Sequence, residues 1–133
     1  MKDPLPHAGV LARLGVSTIH GIGVFAGQDI AAETLVFVNE RQPIRWVDKA
    51  KVAASSPTPF EQGLYDDFAI RRGEQLGTPE SFDVIPVGWY VNEPAAGSEP
   101  NLRLGPDITF VAARAIKSGE ELTITYADFS WPD

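Results

Sequence analysis

Apolar positions along this chain come in short bursts rather than in long periodic runs. GVLARLGV (9–16) and IGVFAGQDI (22–30) are brief apolar stretches cut by glycines, which predicts short strands joined by turns. ETLVFVNE (33–40) has the β-branched and aromatic content of a buried ribbon and predicts a further strand. FDVIPVGWYV (82–91) has strand composition running into a helical turn. DITFVAARAI (107–116) and EELTITYA (120–127) are the two clearest strands, with the turn signal KSG between them. Residues 1–8 hold two prolines and no periodicity, so they read as an extended arm. Between 41 and 81 the pattern changes: PIRWVDKAKVAA is moderately helical, and the rest mixes turn residues with isolated aromatics. That segment reads as an irregular insertion on a β scaffold, too apolar for a disordered linker. The fold class expected is mostly β with minor helix, built from many short strands and free of internal repeats.

Composition narrows the chemistry. With 133 residues, 44% hydrophobic and 22% charged, the chain suits one globular domain. No apolar run approaches the roughly 20 residues of a membrane span, and MKDPLPHAG does not read as a signal peptide, so a cytoplasmic protein is expected. There is no cysteine, which removes disulfides, thiolate zinc sites and cysteine nucleophiles together. His7 and His20 are the only imidazoles, and no EF-hand loop pattern occurs, so no metal site is expected. A net charge of −7 argues against nucleic acid as the main partner and favours a basic one by long-range steering. Acidity that serves only solubility is the competing reading.

Three stretches carry the candidate chemistry: IHGIGVFAGQDIAAETLV (19–36), WYVNEPAAGSEPN (89–101) and ARAIKSGEELTITYAD (113–128). A lone Gly-x-Gly is usually only a turn, and SGEEL is a common hairpin connector. The order and spacing of all three are far more specific. Together they resemble the SET domain, the protein-lysine methyltransferase family, whose signatures are a Gly-x-Gly-Val-Phe-Ala-like start, an Asn-His-Ser…Pro-Asn middle and a Gly-Glu-Glu-Leu…Tyr end. The resemblance covers about residues 10–131, within a single domain spanning 1–133. The Rossmann fingerprint is not met, because the third glycine and the downstream acidic residue are missing.

The resemblance implies a β-clip-like fold of several short-stranded sheets with a knot-like C-terminal crossing, and methyl transfer from S-adenosyl-L-methionine to a lysine amine of a protein substrate. Gly21, Ile22 and Gly23 would bring main chain against the cofactor, since glycine permits close approach and sharp turns. Asn92 would hydrogen-bond the cofactor through its side chain, and Glu93, where the family usually has histidine, through its main chain. Pro94 replaces the usual serine, and the stretch to Pro100-Asn101 is longer than the family norm. Asn92 and Asn101 would pin a crossing whose backbone groups are withdrawn from water. Tyr126 matches the catalytic tyrosine and would also border the cofactor. A hydroxyl there can orient a neutral amine without adding a formal charge. Tyr90, Phe129 and Trp131 would line the lysine channel.

Ile124 stands where many relatives carry an aromatic residue, and Trp89-Tyr90 where Arg-Phe is frequent. The cysteine-rich zinc segment of many relatives has no counterpart, so ADFSWPD would close the site alone or with a second subunit, which suggests a homodimer. The partner expected is a Lys/Arg-rich protein or peptide, with no direct nucleic acid and no membrane. Two other readings remain at this stage. One is a catalytically degenerate SET-like domain that binds a protein partner, for which Glu93 and Pro94 speak. The other is a β-clip structural or carbohydrate-binding module, which would be indifferent to change at Tyr126.

Overall fold

The computed structural model describes residues 5–38 and 42–129. Its strands form three small antiparallel sheets. In the first, β1 (Ala12–Val16) and β2 (Ile22–Ala26) make a hairpin in which Ala12 faces Ala26 and Val16 faces Ile22. The connecting turn is organised by Ser17: its hydroxyl oxygen accepts the amides of Ile19 at 2.9 Å and His20 at 3.1 Å, and its own amide donates to the Gly21 carbonyl at 2.8 Å. Gly21 sits at φ +49°, in the left-handed region that favours glycine.

The second sheet runs β3 (Leu35–Phe37), β8 (Phe110–Ala112), β7 (Leu102–Leu104). The third runs β4 (Arg45–Asp48), β6 (Gln75–Thr78), β5 (Ile70–Arg72), with helices α1 (Lys49–Ala54) and α2 (Pro59–Phe68) between β4 and β5. Thus the described part of 41–81 is an ordered sheet-and-helix unit rather than an irregular insertion. Two devices build it. Thr58 and Glu61 close a reciprocal capping box around α2, with Pro59 opening the helix. Across the sheet, Gly77 leaves room for the Trp46 ring, which a β-carbon there would meet at 2.8 Å; Arg72 lies 3.8 Å from the centre of that ring.

The last strand, β9 (Glu121–Leu122), adds to the first sheet beside β2. From there the chain does not continue as the long strand expected over 120–127. Residues 121–124 pass between two other segments. The Ile124 amide donates to the Asn92 carbonyl at 3.0 Å, and the Leu102 amide donates to the Thr123 carbonyl at 2.9 Å. Asn92 and Thr123 form an isolated parallel bridge. Leu122, Thr123 and Ile124 are all buried, so both faces of this passage are covered. Residues 82–91 likewise carry no strand. Pro86 lacks a donor for a ladder, and Val87–Tyr90 is a 3₁₀ turn. The core joins the first two sheets through Val24, Leu102, Ala112, Ile116, Leu122 and Ile124, none more than 1% exposed. Each such side chain contributes about 1.5–3 kcal/mol of burial, Ala112 less.

Candidate active site

The crossing leaves polar backbone inside the protein, and Asn101 satisfies it. Asn101 is 2% exposed. Its Oδ1 accepts the Thr123 amide at 2.8 Å, and its Nδ2 donates to the Glu121 carbonyl at 2.8 Å and to Glu120 Oε2 at 3.1 Å. One side-chain amide therefore reproduces a strand's donor and acceptor where no strand can fit. Glu120 is held in turn by Arg114, 2.6 Å away. That bond, with smaller help from the Lys117 amide and Asn101, outweighs burial and lowers the Glu120 carboxyl to about 2.

Asn92 works differently. Its Nδ2 points back into the first hairpin, toward His20 O at 3.0 Å, Ile22 O at 3.3 Å, Ser17 Oγ at 3.3 Å and Glu121 Oε2 at 3.0 Å. No described residue donates to its Oδ1. That atom is not enclosed, because among the described residues no buried side-chain nitrogen or oxygen lacks a partner. Gly21 has open space above it, with nothing within 4 Å of where a β-carbon would stand. Gly23 is the opposite case: a β-carbon there would overlap the Glu121 carboxylate, 2.9 Å from Cδ and closer still to Oε2. Its missing side chain makes room for Glu121.

Tyr126, in the 3₁₀ turn Tyr126–Phe129, donates its hydroxyl proton to the Val91 carbonyl at 2.9 Å. Burial and then the Glu93 charge push this phenol above its usual pKa, offset in part by the Glu93 backbone amide. The hydroxyl is thus kept neutral. Tyr126 also lines a cavity of about 340 Å³ whose apolar walls include Trp89, Phe110, Ile124 and Phe129, with Asp66 and Asp67 of α2 on its border. The rings of Phe110 and Phe129 lie 5.6 Å apart. Tyr90 is not among the lining residues; it stacks edge-on against Phe68 at 5.6 Å and packs against the core, and its neighbour Trp89 faces the cavity. Trp131 lies outside the described residues.

The residues singled out in sequence therefore fall into two adjoining neighbourhoods. Gly21, Ile22, Gly23 and Asn92 meet at the first hairpin, Tyr126 and Phe129 meet in the cavity, and Val91–Glu93 runs between. Ser17 and Glu121 belong to the first neighbourhood and carried no role in the sequence reading. The available signal was a carboxylate, Glu121, directly before the apolar Leu122 in a stretch with strand composition.

The SET-domain family model matches residues 21–127. No curated protein matches the chain in sequence. Among solved structures, it is similar to a Plasmodium falciparum protein assigned as a histone methyltransferase, with a TM-score of 0.61 and 17% identity over 88% of this chain and 93% of that one. It is also similar to a humanized mutant of the Chaetomium thermophilum Polycomb Repressive Complex 2 bound to an inhibitor, with a TM-score of 0.61 and 21% identity. That match covers 91% of this chain and 15% of the other. At these identities the likeness is one of fold; the family model covers most of the chain, and the chain belongs to the SET-domain family.

Proposed function

We propose that this protein transfers a methyl group from S-adenosyl-L-methionine to a lysine side chain of a basic protein or peptide. The observation that carries the reading is the position of Tyr126, which lines the cavity while its hydroxyl is fastened to Val91, the residue before Asn92. The cofactor, when bound, supplies a methyl group on a sulfonium centre that a neutral amine can attack in line.

The residues at the first hairpin fit such a ligand. Asn92 Oδ1, which accepts from no described residue, can take a cationic α-amino group, Gly21 leaves open space, and the exposed Ile22 offers backbone. Asn92, the Gly21–Gly23 main chain and the Glu93 main chain would hold it. The cavity does the rest. Phe110, Ile124 and Phe129 surround an entering lysine stem with apolar surface, which disfavours the ammonium and so favours the neutral nucleophile. The Tyr126 proton is committed to Val91, so its oxygen is left to accept from an amine N–H and orient the nitrogen lone pair. The exposed Asp66 and Asp67 give the border negative charge, in keeping with the net charge of −7, and suit basic residues flanking the target lysine.

Calorimetric titration tests the cofactor site. S-Adenosylmethionine should bind the wild type and raise its melting temperature by linkage. Asn92→Ala should bind about tenfold or more weakly, the scale of one hydrogen bond to a charged group. Equal affinity in the two proteins would remove Asn92 from the site.

A further inference from the structure

We propose that Glu121 is a positioning residue for Asn92, fixing its amide so that Oδ1 is presented outward to a cationic ligand group; the identity of that group rests on the cofactor reading above. The argument begins with counting protons. Four oxygens lie within 3.3 Å of Asn92 Nδ2: the His20 and Ile22 carbonyls, Ser17 Oγ and Glu121 Oε2. Carbonyls and an ionised carboxylate only accept. Ser17 has one proton, and its hydroxyl is aimed at Glu121, 2.9 Å from each carboxylate oxygen. None of the four has a proton left for Asn92.

A flipped amide would therefore press Oδ1 into a ring of acceptors, one of them charged. The orientation with nitrogen inward and oxygen outward is imposed, and the charged member imposes it most strongly, since hydrogen bonds to ionised groups are roughly twice as strong as neutral ones. Glu121 also reaches the other half of the neighbourhood. Ser17, 104 positions away in sequence, holds the Ile19 and His20 amides and so aims the turn that carries the His20 carbonyl. One carboxylate thus braces the hairpin turn and Asn92 together. Gly23 is the seat that lets it in, because any side chain there would occupy the same space.

The test uses the whole chain and two independent readouts. The first is hydrogen exchange of the Asn92 side-chain amide by NMR, assigned through its loss in Asn92→Asp, with the Asn101 amide as internal reference. The second is the affinity ratio between S-adenosylmethionine and its analogue without the α-amino group. In Glu121→Ala, Asn92 exchange should accelerate about tenfold while Asn101 is unchanged, and the preference for the amino-bearing ligand should shrink by about tenfold, the worth of one charge-assisted hydrogen bond. Glu121→Gln keeps the shape without the charge and Ser17→Ala removes the brace, so both should fold and show smaller changes of the same sign.

Unchanged Asn92 exchange in folded Glu121→Ala and Glu121→Gln would overturn the proposal. Equal acceleration of Asn92 and Asn101 in all three variants would also overturn it, by showing general loosening. Released Asn92 exchange with no cofactor binding by the wild type would uphold the positioning role and refute the cofactor reading instead.

Discussion

The Tyr126 hydroxyl donates to the Val91 carbonyl at 2.9 Å, a bond between residues 35 positions apart. It ties the last 3₁₀ turn to the residue directly before Asn92, so the cavity and the first hairpin share one fixed point. The same passage of chain is bonded from the other side, where Ile124 donates to the Asn92 carbonyl. Displacement of the Asn92 segment would therefore move Tyr126 as well.

Asn101 should matter for stability rather than for ligand binding. Asn101→Ala leaves the Thr123 amide and the Glu121 carbonyl unpaired inside the crossing. A buried unsatisfied group costs about 1–3 kcal/mol, so a loss of about 3 kcal/mol is expected. Urea unfolding measures it, and the midpoint should fall with little change in slope.

Acid should weaken the same region. The folded-state Glu120 carboxyl lies at about 2, below its ordinary value of 4.5, chiefly because of Arg114. A depressed carboxylate stabilises the protein above its unfolded pKa, and that stabilisation is lost as pH falls from 4.5 toward 2. The Arg114–Glu120 pair is partly exposed, with side-chain exposures of 52% and 30%, so solvent screening limits the effect to about 1 kcal/mol. Melting temperatures of wild type and Glu120→Gln should accordingly converge across that window.

The acidic border of the cavity makes a kinetic prediction. Asp67 is exposed, and Asp66 is already engaged by Arg71 at 3.6 Å. Asp67→Asn should lower kcat/KM for a Lys/Arg-rich peptide by several-fold at low salt and leave it nearly unchanged at high salt, where screening removes the difference. A mutant effect that persists at high salt would point to a direct contact instead of steering.

Sequence and structure agree best where a motif is local. The glycines of the first hairpin and Tyr126 stand out as residue types at a spacing, and mostly-β character follows from many short apolar runs. The unit within 41–81 was illegible for physical reasons. Its strands are only three or four residues long, too short for a period to emerge, and Gly77 sits inside β6 to accommodate Trp46 rather than to turn the chain. The alliance of Ser17 with Glu121 spans 104 positions and became visible only with the fold. At Gly23 the fold adds a requirement that its place in the motif does not display: a side chain there would collide with the Glu121 carboxylate.

The most direct test of the account is methyl transfer by Tyr126→Phe alongside the wild type. Each is incubated with S-adenosylmethionine and a lysine-containing basic peptide, and product is identified by mass spectrometry as a methyl group on the lysine. Removing one oxygen keeps the ring, so the mutant should fold, losing about 1 kcal/mol for the missing bond to Val91. Turnover should fall by about 10²-fold or more, the scale of misplaced reacting groups, while cofactor affinity changes far less. Wild-type turnover in a normally folded Tyr126→Phe protein would contradict the central claim.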